Sequence, residues 1–191
     1  MTMKNSFVLL FVTWILTSFT IFSLLSVPPL WAADPPSQSA CDSFGIQRFS
    51  PNTPAPPFTL KTLDDKFASL SDYNGKPLLI FFWGTWCEAC KEDLVLVEKF
   101  ANQVKDQVTV ITIAVDGERR SRVQWIVRKL HLTLPVLLLL KEDVIDTYEV
   151  RMIPLAIFID SNGYLLGKVI GQRDWTAPDA LTATKELFGL D

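Results

Sequence analysis

Between Pro57 and Gly189 the spacing of apolar residues changes repeatedly, and each change marks an element. FTLKTLDDKFASL, Phe58–Leu70, alternates around Asp64-Asp65-Lys66 and predicts a β-hairpin. PLLIFFW, Pro77–Trp83, is apolar throughout, as a strand buried on both faces requires. From Cys87 the period lengthens. Leu94, Val97, Ala101 and Val104 share one helical face, with Lys91, Glu98, Lys99 and Lys105 mostly off it. VTVITIAV, Val108–Val115, predicts a second buried strand. RSRVQWIVRKLHL predicts a helix with Val123, Ile126, Val127 and Leu130 inward. PVLLLL is a short buried segment, and VIDTYEV a helical turn or two. LAIFIDSNGYLLGKVIG reads as a hairpin in which Asn162-Gly163 supplies the positive φ angles of a tight turn. Thr176 and Asp179 have the spacing of a capping box before a helix that stops near Gly189. Strand–helix–strand units followed by an antiparallel hairpin predict an α/β domain over residues 58–191. Its mixed central sheet is flanked by helices and preceded by the N-terminal hairpin.

Upstream the pattern differs. Phe7–Leu25 holds no charge, and nineteen helical residues reach about 28 Å, close to the bilayer core. Residues 1–26 are expected to be an uncleaved membrane anchor. A cleaved signal at Ala32 or Ala33 is the alternative, disfavoured because Leu30 or Trp31 would stand where a small residue belongs. Either way the remainder is expected outside the cytoplasm, an orientation with which Lys4 before the segment and no basic residue after it until Arg48 agree. Residues 27–57 hold eight of the twelve prolines and read as an extended linker. Cys41 within it is expected to be an incidental or intermolecularly paired thiol rather than a lipid-attachment site.

At 191 residues the chain fits one domain plus an appendage. Its net charge of -3 lacks the basic footprint of a nucleic-acid binder.

Two of the three cysteines stand at Cys87-Glu88-Ala89-Cys90, where a buried strand gives way to a helix. A thiolate in the first helical turn is stabilised by unpaired N–H groups and the helix dipole, so its pKa falls and it becomes a nucleophile. Cys90, three residues on, lies on the same face and can close a small disulfide. Zinc would need four ligands, and only His131 and the distant Cys41 remain. His131 reads as a helix-end residue. A stapling disulfide across so short a loop removes little chain entropy. Redox chemistry is the expectation.

The segment APPFTLKTLDDKFASLSDYNGKPLLIFFWGTWCEACKED, with the later Ile153-Pro154 and the D-x-N-G hairpin, resembles the thioredoxin-like thiol–disulfide oxidoreductases of the TlpA/ResA/DsbE (AhpC/TSA-redoxin-like) type. The resemblance spans roughly Ala55–Trp175. It implies a thioredoxin-like fold and no cofactor. It also implies Cys87 as the attacking thiol, Cys90 as the resolving one, and a cis Ile153–Pro154 bond beside them. There the Ile153 backbone would bind an extended substrate, with Trp86 covering the edge of the site. Implied partners are a protein disulfide, apocytochrome c among the compatible ones, and a transmembrane electron donor. The implied location is the periplasm or the outer face of a bacterial inner membrane.

Three positions depart from thioredoxin. Phe81 stands where thioredoxins bury an Asp, Glu-Ala separates the cysteines, and Val95 replaces a helix proline. Asp93, three residues after Cys90, could handle its proton; alternatively, Glu92 and Asp93 are early-turn acids that complement the helix dipole. Trp83 is expected in the core, and Trp125 and Trp175 are expected to be packing residues rather than binding ones. The competing function is copper delivery on the same fold, which would want C-x-x-x-C and a differently placed histidine. A peroxiredoxin would want P-x-x-x-T-x-x-C, which is absent.

Overall fold

The computed structural model describes residues 39–140 and 143–190. The expected anchor over 1–26 and the first part of the linker lie outside the described residues. The elements in chain order are α1 (Ala40–Phe44), β1 (Gln47–Arg48), β2 (Thr59–Thr62), β3 (Phe67–Ser69), β4 (Leu78–Trp83) and α2 (Glu88–Val104). Then follow β5 (Thr109–Ala114), α3 (Arg120–Lys129), β6 (Val136–Leu138), α4 (Asp143–Thr147), β7 (Leu155–Ile159), β8 (Leu165–Ile170) and α5 (Pro178–Phe188). One sheet runs β1-β8-β7-β4-β5-β6-β2-β3. β4, β5 and β6 are parallel, and every other pairing is antiparallel.

The continuous apolar run of β4 is explained by its place at the sheet centre, between β5 and β7. Its alternate residues serve two cores. Leu79, Phe81 and Trp83 face a cluster with the apolar sides of α1, α2, α3 and α5. Leu78, Ile80 and Phe82 face a second cluster closed by Phe58, Leu60, Val144 and Tyr148. Among the described residues, helices therefore lie on both faces, with α1, α2, α3 and α5 on one side and the short α4 on the other.

Three expectations are corrected. The linker assigned to residues 27–57 has already become folded structure by Ser39. The Ser39 hydroxyl caps α1, and Gly45 ends the helix with φ 82°. α1 packs on α5, the Ala40 N–H and the Arg48 guanidinium both donate to Glu186, and β1 joins the sheet edge beside β8. Proline content did not prevent this, because the packing residues Cys41, Phe44 and Ile46 stand in the proline-free stretch between Pro36 and Pro51. Cys41 is fully buried; its thiol donates to the Ala183 carbonyl, and burial pushes its pKa up to about 11. Next, α5 begins at Pro178, not inside a Thr176–Asp179 box. Thr176 instead donates to Asp174 through both its N–H and its hydroxyl. Finally, only Gly163 takes positive φ in the β7–β8 turn, and the Asp160 carboxylate accepts from the Asn162 and Tyr164 N–H groups.

Candidate active site

α2 starts where β4 ends, and its N-cap is Cys87. Cys87 and Cys90 form a disulfide with Cα atoms 5.3 Å apart. The Cys90 N–H donates to Cys87 Sγ at 3.1 Å, so one of the helix's unpaired donors points at the sulfur. Cys87 is 9% exposed and Cys90 is fully buried. A reagent from solution therefore meets residue 87 first.

The loop before them is fixed by contacts that the sequence reading missed. Thr85 donates its N–H and its hydroxyl to the two carboxylate oxygens of Asp116, at 3.0 and 2.5 Å, and both residues are buried. Asp116 stands two residues past the end of β5. An acid at the C-terminal end of a parallel strand is the signal that could have found it, since α/β sheets build their sites there. Gly84 is closely approached: a Cβ there would lie 3.1 Å from both Ile153 Cδ1 and the Trp86 ring. Gly117 is more confined still: its Cβ would meet the Leu139 backbone at 2.6 Å.

The Ile153–Pro154 bond is cis, and Pro154 is buried at the start of β7. Ile153 and Trp86 converge over Gly84 and share a shallow groove of 190 Å³ with Met152 and Val150. Trp86 is 62% exposed. Trp83 and Trp175 are core residues as expected. Trp125 is not: it lies 46% exposed on α3, between the Arg122 and Lys129 side chains. The α3 apolar stripe is filled by Val123 and Ile126 without it. His131 is exposed and takes positive φ just beyond the end of α3.

Asp93 is fully buried on the face of α2 that carries Cys90 and Leu94. It lies beyond the first turn, where Glu88 is the acid, so the dipole-complement reading does not describe it. The Arg173 N–H donates to Asp93 Oδ2 at 3.2 Å. Among the described residues, Asp93 Oδ1 and Trp175 Nε1 have no hydrogen-bond partner. Burial pushes the Asp93 carboxyl up to about 6, against smaller lowering effects from the Arg173 N–H and the nearby Trp175 indole. Phe81, at the site of the missing thioredoxin acid, packs on Trp175 instead, with centroids 6.2 Å apart.

This carboxyl has a consequence for stability. Its ordinary value of 3.8 applies when the chain is unfolded. Between about pH 4 and pH 6 the native state therefore holds the extra proton, and stability falls as pH rises through that window. Asp93→Asn in the oxidised protein is expected to remove the slope and to gain about 2 kcal/mol at pH 8. Urea unfolding at pH 4, 6 and 8 checks it. Identical pH profiles for the two proteins would contradict it.

Residues 51–167, more than half of the chain, match the AhpC/TSA family. The chain belongs to that family. Within it, the sequence is 31% identical over 127 residues to the thiol–disulfide oxidoreductase ResA of Bacillus subtilis, covering 66% of this chain and 71% of ResA. The pneumococcal exposed lipoprotein thioredoxin Etrx1 of Streptococcus pneumoniae superposes with a TM-score of 0.60 at 31% identity, over 69% of this chain and 99% of that one. StoA of Bacillus subtilis shares the fold, with a TM-score of 0.58 at 22% identity over 67% of this chain and 97% of StoA. This AhpC/TSA member has the thioredoxin-like fold and is a thiol–disulfide oxidoreductase of the ResA type.

Proposed function

We propose that the protein reduces disulfides in other proteins outside the cytoplasm, held to the membrane by residues 1–26. The observation that carries this is the asymmetry of the dithiol: Cys87 at a helix N-terminus and reachable, Cys90 behind it and closed to solvent. In the reduced protein the Cys87 thiolate, favoured by the Cys90 N–H and the helix dipole, attacks one sulfur of the substrate disulfide. A mixed disulfide forms, and the first substrate thiolate leaves and takes up a proton. Cys90 then loses its proton and attacks Cys87 Sγ. The Cys87–Cys90 disulfide forms, and the second substrate thiolate departs and takes up a proton. Two electrons and two protons have passed to the substrate.

Asp93 lies one turn beyond Cys90 on the same buried face, with a carboxyl that titrates at about 6, and is the proposed proton acceptor. Its charge also opposes a thiolate nearby, which makes the disulfide harder to reduce and the dithiol a better reductant. Trp86, Ile153 and Pro154 form the proposed binding edge for an extended substrate segment. Apocytochrome c or another envelope protein would supply that segment, and a transmembrane donor would return the electrons. No observation favours the copper-delivery alternative.

Equilibration with reduced and oxidised glutathione tests the direction. The expected potential lies below about -200 mV, and one near -120 mV, the value of a strong oxidant, would reverse the proposal.

A further inference from the structure

The chain carries a net charge of -3, yet Arg119–Lys129 holds five cations (Arg119, Arg120, Arg122, Arg128 and Lys129) and no acid. Their partners are few. Arg120 is taken by Asp65, through two contacts of 2.5 and 2.8 Å. Arg119, Arg122 and Lys129 form no ion pair among the described residues. Arg122 and Lys129 flank the exposed Trp125 ring instead, at 5.5 and 4.8 Å from its centroid. Positions 122, 125 and 129 fall on one helical face, and Arg119 stands in the turn just before it.

This face borders the dithiol. A cavity of 510 Å³ is lined by Thr85, Trp86, Arg119, Arg120 and Arg122, so it reaches the loop that leads into Cys87. A second, of 420 Å³, continues between α2 and α3 past Arg122, Trp125 and Lys129. Three carboxylates sit at the margins. Glu118 lines the first cavity, and Glu88 and Glu92 line the second, where Glu88 is paired with Lys91 at 2.6 Å and Glu92 accepts from the Gln172 amide at 2.6 Å.

We infer that this surface, Arg119, Arg122 and Lys129 with Trp86 and Trp125, receives an acidic stretch of the polypeptide that carries the disulfide. The inference rests on the reductase reading and names its substrate class. Charge selects an anionic occupant. Length selects a peptide over a small anion: the ten residues of α3 extend about 15 Å, which four or five extended residues would follow. An anionic membrane would satisfy the charges but would cover the side from which Cys87 is reached.

The test uses full-length reduced protein in neutral detergent and two peptides, each with one internal disulfide. They differ only in a flanking Glu-Glu-Glu or Gln-Gln-Gln. The Glu peptide is expected to be reduced about tenfold faster at low salt, with the gap shrinking as salt screens it. The triple variant Arg119→Gln, Arg122→Gln, Lys129→Gln should lose the gap and keep its rate on the Gln peptide. Equal rates on the two peptides in the wild-type protein overturn the surface assignment and leave the reductase reading standing. Equal peptide rates together with preference for phosphatidylglycerol over phosphatidylcholine vesicles, abolished in the triple variant, overturn it in favour of a lipid surface. Failure to reduce either peptide overturns both.

Discussion

Cys87→Ser is expected to lower the rate of insulin-disulfide reduction by roughly three orders of magnitude or more, to the level of the uncatalysed reaction. The size follows from chemistry rather than packing. A serine hydroxyl at a helix N-terminus keeps the capping contact that Cys87 Sγ makes with the Cys90 N–H at 3.1 Å. It stays protonated near neutral pH, however, and cannot form the mixed disulfide. The variant should therefore fold and fail. Cys41→Ala is the matching control. Cys41 is fully buried beneath α5, with its thiol on the Ala183 carbonyl, and its raised pKa keeps it protonated. That variant should retain activity at moderately reduced stability. Equal insulin turnover by Cys87→Ser and wild type would remove the nucleophile from the account.

The largest effect on stability is expected at Trp175. It is 1% exposed, and its ring meets Phe44, Phe81, Phe100 and Phe158 at centroid distances of 5.2, 6.2, 5.4 and 6.4 Å. Those four rings come from α1, β4, α2 and β7, so one side chain joins four elements that are distant in sequence. Trp175→Ala should cost about 3–5 kcal/mol, read from urea unfolding of the oxidised protein, because so many separate elements cannot collapse into the space left. Trp175→Phe should recover much of the loss. A cost below about 1 kcal/mol for the alanine variant would mean that this cluster is not the centre of the core.

The parts of this structure legible in the sequence are those governed by local periodicity. β4 and β5 announce themselves as unbroken apolar runs, because each has a partner strand on both sides and a core on both faces. α2 announces itself by Leu94, Val97, Ala101 and Val104, all of which pack inward. The cysteine pair was readable for the same reason, since its place between strand and helix is a local fact. What the sequence hid depends on residues far apart. Thr85 and Asp116 are thirty-one positions apart, and nothing in either neighbourhood announces that their side chains meet. Asp93 admitted two readings, a proton handler for Cys90 or an acid complementing the start of the helix; its burial, which separates them, involves the loop carrying Arg173 and Trp175, eighty residues on. Trp125 was expected to pack. A large aromatic normally seeks the core, but here it lies between two cations on a solvent-facing side. The proline count concealed α1 and β1, because their stability comes from contacts to α5 and β8 at the far end of the chain.

The redox role of the dithiol rests on the state of three sulfur atoms, which alkylation and peptide mass mapping of the intact protein can read. In the air-oxidised protein, Cys87 and Cys90 should be recovered linked to each other, with Cys41 unmodified until the chain is unfolded. After brief exposure to a mild dithiol, residues 87 and 90 should both be alkylated, 87 the faster, and reoxidation should restore the link. A bridge between 87 and 90 that never forms, or one that survives every dithiol short of denaturation, would contradict it.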